Sequence, residues 1–166
     1  MQEQNNMRGE VTLRLTDAAG RVIHEQHRKN RIVRAGRQLV AQLFGGVAAG
    51  TPPTAVTHMG VGTDATAAAD DQTALLAERA PRKAIAEITY SDFDEAQPGG
   101  GSVRRVRAAL RAVFDFNEAN GPVPLREAGI FTAAAAGSGV MYNRVIFEPV
   151  TKTNAFQLTL LWEITF

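Results

Sequence analysis

From position 156 onward, Phe156, Leu158, Leu160, Trp162, Ile164 and Phe166 alternate with Gln157, Thr159, Leu161, Glu163 and Thr165. A helix of 3.6 residues per turn would scatter those apolar side chains around its whole circumference, whereas a strand places them all on one face. The same period of two recurs where Val106, Ala108, Leu110, Ala112, Phe114 and Phe116 alternate with Arg105, Arg107, Ala109, Arg111, Val113 and Asp115. Each segment is therefore half of a sheet with one greasy face, and such a face requires a second layer to cover it. The anchors Leu110, Phe114, Leu158, Leu160 and Trp162, with Phe131 and Phe147 from shorter runs, are the expected core.

The rest of the chain supplies that second layer. Val11, Leu13 and Leu15 alternate with polar residues, Asp17-Ala18-Ala19-Gly20 is turn chemistry, and Arg21 to His27 is the return strand of a hairpin. Val33, Leu39, Val40, Leu43 and Phe44 keep helical spacing, with Gly45-Gly46 as the stop. Short strands are expected at 55–61, 84–90, 125–132 and 140–147, and a turn or two of helix at 73–78. Residues 63–72, rich in Ala, Asp and Thr, read as a surface loop too poor in large apolar groups to pack. Residues 92–102, with Pro98 and three consecutive glycines, read as a flexible loop. The order is not βαβαβ, so the expected fold is mainly β: an antiparallel β-sandwich or barrel with one helix after the first hairpin. Residues 1–9 form a polar lead and 10–166 a single β-rich domain, a size that accommodates one substantial core.

Composition removes several classes of function. With 18 Lys and Arg against 17 Asp and Glu, the net charge of +1 gives no global field for a nucleic acid or an anionic membrane. Cysteine is absent, which excludes disulfides, thiolate nucleophiles and Cys-ligated metals. No run reaches the roughly 18 apolar residues that span a bilayer, and the opening Met1-Gln2-Glu3-Gln4-Asn5-Asn6 lacks the pattern of a secretory leader. Neither membrane insertion nor Sec export is expected.

Catalytic signals are equally sparse. Ser91, Ser102 and Ser138 fall in expected loops outside any nucleophile elbow, and His24 and His27, three apart on a strand, point to opposite faces and cannot easily share a metal. His58 stands alone. Gly60-Val61-Gly62-Thr63 lacks the third glycine and following helix of a dinucleotide site, and Asp92, Asp94 and Glu95 lack calcium-loop spacing. No catalytic residue, metal or cofactor is expected. Basic residues do cluster, at Arg28, Lys29, Arg31, Arg34 and Arg37 and at Arg104, Arg105, Arg107 and Arg111, but aromatics for base stacking do not share their faces, which disfavours nucleic acid. Arg105, Arg107 and Arg111, on one strand face, together with Arg28 and Arg31, are the candidate protein-interface residues; the strand trio is expected to meet acidic groups of a neighbouring subunit.

Several segments in order resemble small structural proteins of tailed-bacteriophage virions and related contractile injection particles. They are Asn30-Arg31-Ile32-Val33 with Gly36 and the helix ending Leu43-Phe44-Gly45-Gly46; Val56-Thr57-His58-Met59-Gly60-Val61-Gly62-Thr63; Asp71-Gln72-Thr73-Ala74-Leu75-Leu76; Leu125-Arg126-Glu127-Ala128-Gly129-Ile130-Phe131; and Leu158 to Phe166. The resemblance implies a non-enzymatic component assembled in the bacterial host cytoplasm into a virion, around the tail, baseplate, collar or fibre base, through contacts with other virion proteins and further copies of itself. Capsid decoration is the alternative position. Two other classes stand beside it: a carbohydrate-binding β-sandwich in which Tyr90, Tyr142 or Trp162 would stack on sugar, and a small hydrolase built on loop carboxylates.

Overall fold

The computed structural model describes residues 7–166; the first six residues of the expected polar lead lie outside them. In chain order the elements are β1 (Arg8–Asp17), β2 (Val22–Ile32), α1 (Arg34–Gly45), β3 (His58–Gly62), β4 (Glu78–Ala84), β5 (Glu87–Ala96), β6 (Ser102–Phe114), β7 (Leu125–Phe131), β8 (Met141–Val150) and β9 (Phe156–Thr165). Among the described residues these nine strands form one antiparallel succession, β4-β3-β7-β8-β2-β1-β9-β6-β5. It folds over on itself as two layers, one built from β1, β9, β6, β5 and most of β2, the other from β4, β3, β7 and β8. The expected mainly-β sandwich with one helix after the first hairpin is the observed fold, and β1 already includes Arg8 and Gly9 of the polar lead.

The chain crosses between layers at both sides of the sandwich. On one side β2 belongs to both, pairing with β1 from Val22 to Asn30 and with β8 through Arg31 and Ile32. On the other, Ile85 and Ala86 carry the chain from β4 into β5, so the segment expected as one strand over 84–90 is the junction of two. A layer change needs a break in the ladder, and that break is invisible to hydropathy. β4 holds Pro81, which donates no ladder bond and is tolerated because β4 is an edge strand. No helix forms at 73–78; Leu75 is buried as loop, and Glu78 already starts β4.

The core lies where the alternating faces meet. Val11, Leu13 and Leu15 of β1, Leu110, Ala112 and Phe114 of β6, and Leu158, Leu160, Trp162 and Ile164 of β9 pack against Met59, Val61, Ala128, Ile130, Val145 and Phe147 of the other layer. All seven expected anchors are buried, Phe131 on the far side of its layer with Val33, Leu75 and Met141. Trp162 is fully enclosed, and its indole N–H donates to Asn30 Oδ1 at 2.8 Å. Helix α1 packs on β8, and Gly36 permits it: a Cβ there would overlap the Tyr142 carbonyl oxygen. Its first N–H is capped from a distance, Arg34 donating to the Asp70 carbonyl at 2.9 Å.

The hairpin of β5 and β6 is longer than the alternation suggests. Strand pairing runs from Glu87 opposite Arg111 to Ala96 opposite Ser102, leaving a connection of only 97–101 where a loop over 92–102 is expected. Polar cross-strand pairs, rather than an apolar stripe, hold this end together, so no hydropathy pattern reports it.

Candidate functional site

The outward face of the larger layer carries the arginines. On β6, Arg105, Arg107, Ala109 and Arg111 point away from the core, since Ala108, Leu110, Ala112 and Phe114 point into it. Arg105 Nε donates to Glu95 Oε2 at 3.0 Å, and Arg8 bonds the other oxygen of the same carboxylate. The guanidiniums of Arg8 and Arg105 hold the Glu95 carboxyl below its usual range. Arg107 Nη1 reaches Glu163 Oε1 at 3.3 Å and lies over the Phe93 ring, 4.4 Å from its centre. Compensation that an acidic neighbour was expected to bring is thus provided within the chain for Arg105 and Arg107. Arg111 is exposed and makes no ion pair among the described residues. Arg28 stands 3.6 Å from Glu148, and Arg31 4.0 Å from Asp70. Being three apart on β2, these two take opposite faces, so the basic run 27–31 is no single patch.

Arg111 borders a shallow polar depression of about 410 Å³ shared with Glu10, Thr12, His27, Glu87, Thr89 and Glu163. It arises because Ala109 and Thr89 are small where their neighbours are long. Within it Thr12 Oγ1 lies 2.8 Å from His27 Nδ1, and His27 Nε2 lies 3.4 Å from Glu25 Oε1. Hydroxyl, imidazole and carboxylate in succession have the order of an activated nucleophile, a juxtaposition that sequence reasoning missed because it depends on register, Thr12 facing His27 and Arg14 facing Glu25. Glu25, however, is engaged by Arg14 at 2.6 Å, which holds its carboxyl below the usual range. The His27 side chain is 69% exposed. β1 is paired on both sides, so its backbone N–H groups are committed to ladders rather than aimed at a developing oxyanion. The triplet is built as a cross-strand polar contact.

The strongest electrostatics lie in the other layer. Arg144 on β8 and Glu127 on β7 are both fully buried and meet at 2.8 Å. Glu127 also accepts the N–H groups of Leu76 at 3.1 Å and Ala77 at 2.8 Å, while Arg144 donates to the Thr66 carbonyl at 2.8 Å and to Gln72 Oε1 at 3.0 Å, with Asp64 at 3.4 Å. Gly62 makes room, since any Cβ there would overlap Glu127 Oε1. Residues 63–77, of which 63–72 are expected as a surface loop too poor in large apolar groups to pack, are therefore fastened along the sheet by a buried ion pair. Their other anchor is Asp70, bidentate with Arg37 of α1 at 2.9 Å and 2.9 Å; the guanidinium holds the Asp70 carboxyl below its usual range.

Two more cations are enclosed for the same kind of purpose. Arg82 pairs with Glu78 at 2.6 Å, donates to the carbonyls of Ala133 and Ser138 at 2.9 Å each, and lies 3.5 Å over the Phe131 ring. Lys152 Nζ is surrounded by the Asp115 and Thr153 carbonyls and Asn120 Oδ1 at 2.9, 3.1 and 2.8 Å, and burial pushes its pKa down. Arg82 ties a loop to strand β4, and Lys152 ties the loop after β6 to the connection after β8, each through carbonyl oxygens, which need donors when removed from water.

The remaining sequence candidates are placed as follows. His24 bonds Gln26 at 2.9 Å and His58 bonds Thr57 at 2.8 Å, on different elements. Gly60 to Gly62 end β3 and are followed by loop, not helix. Asp92 and Asp94 face Arg104 at 3.6 and 3.5 Å. Ser91 lies on β5 rather than in a loop, and Ser102 begins β6. Tyr142 and Trp162 are enclosed and cannot stack on a sugar, which leaves Tyr90, 73% exposed. Among the described residues no group of His, Asp and Glu is arranged to hold a metal, and no helix is long and apolar enough to cross a membrane.

Together these features define an antiparallel β-sandwich whose enclosed charges serve as fasteners between segments. No family model matches the chain, nor does any curated protein or solved structure. Sequence reasoning missed Glu127, Arg144, Glu78, Arg82 and Lys152. One signal was available for Arg144: a lone cation inside Met141 to Phe147, a strand otherwise apolar but for Asn143.

Proposed function

We propose that this protein is a non-enzymatic structural component of a phage or phage-like particle, assembling around the tail, baseplate, collar or fibre base through protein–protein contacts. The observation that carries the reading is where the resembling segments fall. Residues 56–63, 71–76 and 125–131 meet around one device, the Glu127–Arg144 pair with Gln72, Leu76 and Gly62 about it. Residues 30–46 join it through Asp70 and through Val33, whose N–H bonds the Tyr142 carbonyl at 3.3 Å. Four of the five segments, scattered over a hundred residues, thus converge on a single fastening unit, as a shared scaffold would have them do, while the fifth, Leu158 to Phe166, lies along β9 in the other layer.

The chemistry fits the same reading. Its enclosed charged groups hold loops, and its larger layer ends in a free edge strand, β5, such as assembly proteins use or shield. Mass spectrometry of purified particles from a producing host tests the proposal. The protein should be present at a fixed ratio to a tail or baseplate protein. Its absence from particles while abundant in the lysate would reject it, and its loss together with capsid subunits rather than tails would move it to capsid decoration.

A further inference from the structure

Beside the free edge of β5 the larger layer outruns its cover. Leu43 and Phe44 at the end of α1, Ile88 and Tyr90 on β5, Val106 on β6 and Phe166 form one apolar strip, with exposures of 48, 96, 40, 73, 44 and 37%. Leu43, Ile88, Tyr90 and Phe166 rim a groove of about 210 Å³ whose floor is Leu110, Ile130 and Ile164. Val106 joins the strip through paired backbone bonds to Phe166. Phe44 follows the groove residue Leu43 without lining the groove itself, almost wholly in water at the last turn of α1.

We infer that this strip is a two-fold interface between copies of this chain, in which Phe44 of each copy occupies the groove of the other. Four observations favour a second copy over other occupants. The groove is below the roughly 300–1,000 Å³ of small-molecule sites but suits one aromatic side chain. Its lining is apolar but for the hydroxyl of Tyr90, that of Tyr142 being enclosed. Knob and hole are adjacent on one patch, so a two-fold axis between them satisfies both at once, the self-complementarity that an isologous contact requires. The strip exposes roughly 600 Å² of apolar surface per copy, which when doubled reaches the lower range of stable interfaces, and its aromatic anchors are the kind that dominate binding. Asp92, Arg104 and Asp94 follow on the same face and supply a polar rim.

Sedimentation velocity on the full chain, over a concentration series up to ~100 µM, tests this. The wild type should show a concentration-dependent dimer. Phe44→Asp should weaken it by about 30-fold or more, as loss of a central anchor does, with an unchanged melting temperature at concentrations where both proteins are monomeric, because Phe44 supports nothing within its own chain. Tyr90→Ser, at the groove rim, should weaken it less. A wild type monomeric throughout, a dimer indifferent to Phe44→Asp, a closed ring of three or more copies, or a monomer that native mass spectrometry finds carrying an apolar small molecule would each overturn the inference. The virion reading fails separately: dimerisation through Phe44 in a protein absent from particles rejects that reading alone, and incorporation of a protein that stays monomeric rejects this one alone.

Discussion

The two layers of the sandwich use charge in opposite ways. In the layer of β7 and β8 both faces are covered, by the core on one side and residues 63–77 on the other, and Glu127 and Arg144 sit between them out of water. In the layer of β1, β9 and β6 the outward face is wet, and pairs such as Arg107 with Glu163 have side chains 36 and 43% exposed. Coulomb attraction between exposed partners is largely cancelled by solvent and side-chain entropy, so those pairs settle local charge balance and little else. An enclosed pair has no water to fall back on. Removing one partner leaves an uncompensated charge, and every backbone group it served loses its partner too. One layer is thus fastened by ions, the other merely decorated with them.

The sharpest way to break this contrast is Arg144→Met. It should cost about 3–5 kcal/mol by urea denaturation and free residues 63–77 to proteolysis before global unfolding. A loss under about 1 kcal/mol would mean that water enters and the pair is not a fastener. Leu160→Ala, at a fully buried position of the core that both layers share, should cost about 2–5 kcal/mol. It should do so without selective loosening of 63–77, which separates packing from fastening. Trp162→Phe removes the bond to Asn30 Oδ1, in an amide whose Nδ2 is already buried without a partner. About 1–3 kcal/mol should go with it, and a neutral outcome would show that Asn30 finds another donor.

Acid titration probes both layers. Glu95, Asp70 and Glu118 have folded-state pKa values held below their ordinary 4.5, 3.8 and 4.5 by Arg8, Arg37 and Lys83 respectively. The stability they confer is therefore complete above the usual carboxylate range and lost as pH falls through their lowered values. Melting temperatures should be level near neutrality and decline below about pH 4.5. Lys83→Met should reduce that acid dependence by removing the Glu118 contribution, and an identical pH profile would reject the assignment. The smallest effect is expected from Arg111→Ser, within about 0.5 kcal/mol, because Arg111 is exposed and has no ion pair among the described residues. A larger change would show that the depression beside Glu87 and Glu163 carries more electrostatic weight than its geometry indicates.

Periodicity made the core legible: the stripes on β1, β6 and β9 are buried as their alternation requires except at Val106 and Phe166, and α1 ends at the glycines that mark it. Period-two patterning reports a strand with one wet face, because only such a strand must alternate. β7 and β8 are buried on both faces, so the sequence marks them as short strands without alternation, and nothing in that pattern singles out Glu127 and Arg144. The outer half of β5, beyond Tyr90, is hidden for the converse reason. Most of its residues are exposed on either face, and its pairing rests on charges that hydropathy scores as loop.

What the sequence determined by itself was local: which segments are extended, which faces are apolar, where turns fall, and that no cysteine chemistry is possible. What only the tertiary structure decided was which segments meet. Glu127 and Arg144 are 17 residues apart, and Gln72 lies 72 residues from Arg144; Asn30 bonds Trp162 across 132. An enclosed charge is tolerated only if a partner is delivered to it, and delivery depends on strand order and register, which no local pattern encodes. The same holds at the surface. Phe44 reads as the apolar end of an amphipathic helix, and only the tertiary structure shows that it stands in water.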